Sequence, residues 1–122
     1  PFYPGTGSEK EKGNHDNIFN VPLPAGTGSE EYFNAYDRVV DKLIKFQPEF
    51  LLLSMGFDAE ERDPLASFKL LPRDFYEITK RAVKATNEFT KGRVVSILEG
   101  GYDLNALADC SNEHVNALLE FN

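Results

Sequence analysis

Residues 50–55, FLLLSM, form the apolar stretch that decides the fold. Pro48 precedes this run and Gly56 closes it. A continuous apolar run of this length predicts a strand buried on both faces, as in a parallel sheet. Residues 94–98, VVSIL, have the same character and predict a second buried strand, which ends just before Gly100 and Gly101.

Three amphipathic segments around these strands predict helices. The first begins with Ser29 as its expected cap and ends at Gln47-Pro48, because the residue before a proline disfavours helical angles. Its apolar positions recur every three to four residues between Tyr32 and Leu43. The second helix is predicted from about Pro72 to about Thr90, and the third from Leu104 to Leu119, with Asp103 as a possible cap.

Ile18 to Leu23 is a short, partly apolar segment that predicts one more strand before the first helix. The resulting order of alternating strands and helices predicts an α/β fold, a parallel sheet flanked by helices. Residues 1–17 are rich in turn-forming residues and contain the run EKEK at 9–12, which predicts an exposed loop.

Composition restricts the function. The chain has 122 residues and a net charge of −7. This acidic charge argues against direct binding of nucleic acid. It fits either a solvated surface or a surface that attracts cationic ligands such as lysine side chains or polyamines. Its single cysteine, Cys110, excludes an intrachain disulfide and a cysteine-rich zinc site, and favours a reducing compartment. No membrane-length apolar stretch or signal-peptide pattern is present, so we expect an intracellular protein without a membrane partner.

Two polar residues follow the predicted strands, where ligands bind in open α/β sheets. Asp58 follows the first and Tyr102 follows the second. A carboxylate at such a point can bind a divalent cation, and a phenol beside glycines can donate to a developing oxyanion. Taken alone, the pattern favours an aspartate that serves as a turn or cap residue over a metal ligand, and it also fits a tyrosine that only packs its ring.

Four motifs in order extend over nearly the whole chain. They are YPGTG at 3–7, NVPL at 20–23, GFDA at 56–59 followed by DPLA at 63–66, and LEGGYDL at 98–104. The ordered set resembles the histone deacetylase family, and is more similar to its class II and bacterial members than to class I. The resemblance implies an arginase/deacetylase fold and a zinc hydrolase that removes acetyl groups from amines.

The resemblance also implies roles for individual residues. Asp58 takes the place of an aspartate zinc ligand, and Tyr102 that of the catalytic tyrosine that hydrogen-bonds the acetyl oxygen and the tetrahedral oxyanion. The resemblance also implies a substrate tunnel. Tyr3 is its aromatic lining residue and Leu65 lies near its wall. Gly100 and Gly101 form its floor through their backbone. Glu60 departs from the family, where many members have histidine.

Other parts of the family's machinery have no counterpart in the sequence. The paired histidines and the Asp-x-His ligands lie upstream of the tunnel loop in the family, and His15 and His114 lack their context, so we expect both to be surface residues. Residues 1–122, which begin with proline, are therefore interpreted as the C-terminal portion of a single catalytic domain. We expect this portion by itself to bind zinc weakly and to be inactive.

Several functions stay open at this point. The expected substrate is the acetylated lysine of a histone or another protein, with a role in chromatin regulation in the histone case. The expected location is the nucleus or cytoplasm of a eukaryote, or the cytoplasm of a bacterium. One alternative is an acetylpolyamine or small-molecule amidohydrolase, and another is a non-catalytic acetyl-lysine or protein-binding module of deacetylase ancestry. A third is an arginase-like enzyme with two manganese ions, but the Gly-Gly-Tyr segment fits that enzyme poorly.

Overall fold

The computed structural model describes residues 4–122, in which helices and strands alternate. The elements are α1 (Ser29–Phe46), β1 (Leu51–Met55), α2 (Pro72–Thr90), β2 (Val94–Leu98) and α3 (Leu104–Phe121). Within this described part of the chain, none of the helices combines the length and the apolar character that a membrane crossing requires.

The two strands form a parallel sheet, with α2 as the connection between them. Leu51 pairs with Val94 at one end, and Met55 pairs with Leu98 at the other. Because the strands are parallel and in register, their carboxyl ends lie at one edge of the sheet. The predicted α/β class, a parallel sheet flanked by helices, is confirmed.

The core lies on one face of this sheet. Leu51 and Met55 are 6% and 8% exposed, whereas Leu52, which alternates with them, is 58% exposed. In β2, Ile97 is 49% exposed. The prediction that both strands are buried on both faces is therefore wrong, because the described residues cover only one face of the sheet. The prediction failed because a strand that is apolar on both faces does not reveal which part of the chain covers each face.

The start of α1 differs from the prediction. Gly28, not Ser29, occupies the cap position, and no side chain caps the helix there. The Ser29 hydroxyl instead donates a hydrogen bond to Oδ2 of Asp74, at 2.6 Å. The same oxygen accepts the backbone N–H of Leu71, at 2.7 Å, so one buried carboxylate joins the beginnings of α1 and α2.

The remaining helix ends follow the sequence closely. The second helix begins at Pro72 and ends at Thr90, after which Lys91 adopts a left-handed conformation with φ of 54°. The third begins after Asp103, whose carboxylate accepts the N–H of Ala106 at 2.8 Å and thereby caps the helix as expected. This helix continues to Phe121, past the predicted end.

The segment from Ile18 to Leu23 forms no strand, contrary to the prediction. Pro22 and Pro24 flank its end and lack the N–H groups that a strand ladder needs. The Phe19 ring instead lies under two cations of α1, 5.6 Å from the guanidinium carbon of Arg38 and 5.2 Å from Nζ of Lys42. The EKEK run before it is exposed, as predicted.

Candidate functional site

The candidate site lies at the carboxyl ends of β1 and β2, where the loops that follow the two strands run side by side. The N–H of Glu99 donates to the carbonyl of Met55 at 3.0 Å, and the N–H of Phe57 donates to the carbonyl of Gly100 at 2.9 Å. The pairing of the strands therefore continues into the loops. It brings the loop that carries Asp58 against the loop that carries Tyr102, at the edge of the sheet where the sequence places a site.

The carboxylate of Asp58 lies against the backbone of two glycines. A Cβ atom at Gly100 would lie 2.5 Å from Oδ2 of Asp58, and one at Gly56 would lie 2.9 Å from Oδ1. Neither distance is compatible with a side chain, so glycine at both positions is a requirement for this carboxylate position. Asp58 is half-buried and borders a groove of about 360 Å³. Its other lining residues are Leu23, Ala25, Ala59, Ala66, Ser67 and Phe68.

Tyr102 is presented by the double glycine before it. Gly101 has φ of +130°, and a Cβ atom there would lie 3.2 Å from side-chain atoms of both Phe57 and Leu107. The side chain of Tyr102 is 55% exposed and does not line the groove beside Asp58. The structure thus places Asp58 and Tyr102 at the same edge of the sheet. Asp58 borders the groove, whereas Tyr102 does not.

The predicted tunnel residues have different outcomes. Leu65 is 61% exposed in the loop that follows β1. Gly100 and Gly101 lie between the end of β2 and Tyr102, with Gly100 in contact with the Asp58 carboxylate. Tyr3 lies outside the described residues, so its position in a tunnel stays a prediction.

Asp63 is a functional candidate that the sequence reading missed. Its Oδ1 accepts the backbone N–H groups of Leu65 at 2.8 Å and Ala66 at 3.0 Å, and these bonds form a turn at Asp63-Pro64. Its Oδ2 accepts the N–H of Tyr102 at 2.8 Å. Burial would raise the pKa of this carboxyl, but the three backbone donors together lower the pKa below its ordinary value. The signal for Asp63 in the sequence is its place in the DPLA motif at 63–66, and that motif shows nothing of the contact with Tyr102.

Glu60 is buried, at 2% exposed, and takes part in an ion pair. Its carboxylate accepts hydrogen bonds from Nε and from the backbone N–H of Arg62, each at 2.6 Å. Arg62 also contacts Asp109 of α3 at 3.0 Å. The position at which this chain departs from the family motif therefore anchors the loop after β1 to α3.

His114 is buried at 4% exposed, so its prediction as a surface residue is wrong. Its Nδ1 lies 2.6 Å from Oγ1 of Thr79, and its Nε2 lies 2.8 Å from Oγ of Ser96. Thr79 already donates its hydroxyl hydrogen to the carbonyl of Phe75, so Nδ1 is the donor to Thr79 and Nε2 accepts from Ser96. Burial lowers the pKa of His114, and the ring is a neutral link between helices and sheet. His15 is exposed, as predicted.

Residues 4–122 contain no group of three or more histidine, cysteine, aspartate or glutamate side chains that could hold a metal ion. A catalytic zinc site uses three protein ligands. Asp58 can therefore supply one oxygen ligand of such a site. Its half-buried carboxylate, which borders a groove and lies against Gly100, suits that role.

Comparisons with known proteins agree with this geometry. Residues 1–118 match the family model described as histone deacetylase domain. The chain is 44% identical over 104 residues to type-2 histone deacetylase 1 of Dictyostelium discoideum, which covers 85% of this chain and 7% of that protein. It is 36% identical over 123 residues to a probable deacetylase of Archaeoglobus fulgidus, which covers 98% of this chain and 34% of that protein. The chain thus spans only a minor part of these relatives.

Solved structures match over almost the whole chain. The histone deacetylase Clr3 superposes with a TM-score of 0.86 at 30% identity, over 99% of this chain and 21% of that one. An acetylpolyamine aminohydrolase from Burkholderia pseudomallei superposes with a TM-score of 0.84 at 25% identity, over 96% of this chain and 34% of that one. The arrangement of strands, helices and loops described above is therefore similar to part of the domains in these structures.

Proposed function

The chain belongs to the histone deacetylase family, and from this premise we propose that its protein is a zinc-dependent deacetylase acting on the acetylated lysine of a histone or another protein. The fold is part of an arginase/deacetylase fold. Residues 1–122 are proposed to be the C-terminal portion of a single catalytic domain. One observation carries the proposal: the Asp58 carboxylate lies against Gly100, in the loop that also presents Tyr102.

In this proposal, Asp58 holds one coordination position of the zinc ion. Its carboxylate occupies space that is free because Gly56 and Gly100 carry no Cβ atom. Bound zinc polarises a carbonyl and lowers the pKa of a water molecule. The other ligands and the histidine that moves the proton belong, in this proposal, to the part of the protein before residue 1.

Tyr102 is the proposed catalytic residue of this chain. Its phenol donates a hydrogen bond to the acetyl oxygen and to the oxyanion that forms from it. The side chain is 55% exposed, which leaves the hydroxyl accessible to a substrate. Leu65 is the proposed apolar wall beside the substrate, and Gly100 with Gly101 the proposed floor where the backbone comes close to it.

The net charge of −7 supports a cationic substrate, because an acidic surface raises the local concentration of lysine-rich segments. Action on histones would assign the protein to chromatin regulation in the nucleus. Action on other acetylated proteins is compatible with the cytoplasm.

The experiment compares two tyrosine variants of the complete protein loaded with zinc. Tyr102→Phe removes the proposed oxyanion donor, and Tyr76→Phe removes a phenol that donates to Glu120 at 2.6 Å, away from the strand ends. We expect Tyr102→Phe to lower kcat about 100- to 1000-fold with unchanged zinc content, by analogy with the loss of one oxyanion donor. Tyr76→Phe should retain wild-type kcat.

Acetate release from an acetyl-lysine peptide is the measurement. Equal activity of Tyr102→Phe and wild type would contradict the role of Tyr102. No turnover by the zinc-loaded wild-type protein would contradict the deacetylase function itself.

A second candidate substrate is an acetylpolyamine. The superposition on an acetylpolyamine aminohydrolase and the acidic charge both favour it. The ratio of kcat/KM for an acetylated polyamine to kcat/KM for an acetyl-lysine peptide decides between the two. A protein that binds acetyl-lysine peptide without turnover would instead be the non-catalytic binding module.

A further inference from the structure

We infer that Asp63 is a positioning residue for Tyr102, and that its single carboxylate sets the phenol donor and the Leu65 wall relative to one another. This inference rests on the proposed function. It concerns a residue that neither binds the metal nor reaches the substrate, and that acts through the backbone of another residue.

The two carboxylate oxygens have separate partners. Oδ1 accepts the N–H groups of Leu65 and Ala66, which fold the chain just after Asp63. Oδ2 accepts only the N–H of Tyr102, at 2.8 Å, in the loop that follows the other strand. Asp63 is 7% exposed, so these bonds are shielded from water and from competing solvent donors. Buried hydrogen bonds to a charged acceptor are the stronger kind.

Tyr102 depends on this bond for its backbone position. Gly101 before it gives the loop a freedom that other residues lack, with φ of +130°. The side chain of Tyr102 is 55% exposed and contributes little packing of its own. Bonds at Gly100 and Asp103 hold the loop on either side, and the Asp63 carboxylate is the side-chain contact made to the backbone N–H of residue 102 itself.

The chemistry requires aspartate at residue 63. The side chain needs two oxygens that both accept hydrogen bonds, one from the N–H of Leu65 in the local turn and one from the N–H of Tyr102. Asparagine can keep its oxygen on the turn, as asparagine commonly does, but then turns its NH₂ group toward the Tyr102 N–H. Asp63→Asn thus preserves the turn and removes the contact with Tyr102, which makes it a selective variant.

The consequence for catalysis is geometric. An oxyanion donor acts only at hydrogen-bond distance, and a displacement of about 1 Å can cost about 100-fold in rate. We expect Asp63→Asn in the complete zinc-loaded protein to lower kcat about 10- to 100-fold, with KM and zinc content nearly unchanged. Asp74→Asn is the matched control: Asp74 is equally buried and accepts from Ser29 and Leu71, remote from Tyr102. It should keep wild-type kcat.

Combination with Tyr102→Phe distinguishes positioning from general support of the fold. If Asp63 acts through the phenol, Asp63→Asn should cost less than about 3-fold in kcat once the phenol hydroxyl is gone. An equal cost of Asp63→Asn in the wild-type and Tyr102→Phe backgrounds would overturn the inference.

Hydrogen exchange at the Tyr102 amide gives a readout that does not need activity. The amide should be protected in the wild-type protein and should exchange at least about 10-fold faster in Asp63→Asn, with no change in Asp74→Asn. An unprotected Tyr102 amide in the wild type overturns the inference, and this measurement needs no variant to fold.

Should Asp63→Asn not fold, Asp63→Ser keeps a local acceptor that is too short to reach Tyr102 and is expected to give the same effects. Absence of turnover in the wild type would contradict the proposed function, while the exchange result would still decide whether Asp63 holds Tyr102.

Discussion

Glycine at two positions makes room for the carboxylate of Asp58. The oxygens of Asp58 occupy the space that a Cβ atom would need at Gly56 and Gly100. A larger residue at either position would displace these oxygens and therefore change the position of the proposed metal ligand. The double glycine before Tyr102 thus serves Asp58 as well as the tyrosine.

Gly100→Ala tests this arrangement, because the added methyl group would lie 2.5 Å from Oδ2 of Asp58 and must displace it. We expect the zinc affinity of the complete protein to fall about 10- to 100-fold, as for changes that disturb the orientation of a metal ligand. The measurement is zinc titration against a competing chelator. Gly28→Ala is the control, since its methyl group would meet only Glu31 at 3.5 Å. Unchanged zinc affinity in Gly100→Ala would contradict the requirement for glycine beside the Asp58 carboxylate.

At the scale of the elements, His114 is the contact through which α3 bonds to both α2 and β2. Its two ring nitrogens reach Thr79 of α2 and Ser96 of β2. The acceptor role of Nε2 requires the neutral ring, and burial also favours the neutral form by lowering the pKa of His114 from its ordinary value of 6.5. The packing of these three elements is therefore coupled to the protonation of one residue.

This coupling predicts a pH dependence of stability. Well above pH 6.5 the ring is neutral in both the folded and the unfolded protein, and the stability is fully present. As pH falls below 6.5, the unfolded state takes up a proton that the folded state resists, so the free energy of unfolding falls by up to about 1.4 kcal/mol per pH unit. Urea unfolding at a series of pH values measures this. His114→Gln should flatten the slope between pH 6.5 and 5, and a slope identical to wild type would contradict the prediction.

The elements themselves were largely predictable from the sequence. The bounds of α2 follow from Pro72 and from the turn after Thr90, since proline and glycine act locally. The strand expected at Ile18–Leu23 failed because a strand needs a partner, which local pattern does not reveal.

The side-chain contacts of the site were not predictable. Ser29 has its partner 45 residues away at Asp74, and Asp63 has its partner 39 residues away at Tyr102. Such long-range partners leave no periodic signal. The positions of Asp58 and Tyr102 at one sheet edge could be expected because parallel strands share that edge, but the groove that borders only Asp58 depends on packing.

For the molecule as a whole, one face of the sheet remains apolar and open within the described residues. Leu52 is 58% exposed on it, and Val95 and Ile97 are 43% and 49% exposed. Leu52 pairs with Val95 across the two strands, and Ile97 pairs with Ser54 next to them. Contiguous apolar surface of this kind is typical of a face that another segment or partner covers.

The 122-residue chain by itself should lack the zinc chemistry of the complete protein, because Asp58 is a single ligand and a catalytic site needs three. We expect isothermal titration of this chain with zinc to give a Kd above about 1 µM, and no release of acetate from an acetyl-lysine peptide. Asp58→Asn should leave the weak binding of the isolated chain nearly unchanged but weaken zinc binding in the complete protein. Submicromolar binding together with turnover by the isolated chain would contradict this expectation.

The shared anchor at Asp63 has a consequence for protein engineering. The loop at residues 59–66 and the loop at residues 99–103 are joined through one buried carboxylate, so a change of length in either is transmitted to the other. A chimera in which one of these loops is replaced by a loop of different length would move Asp63 away from the N–H of Tyr102. Loop grafting to alter substrate preference should therefore transplant the two segments together.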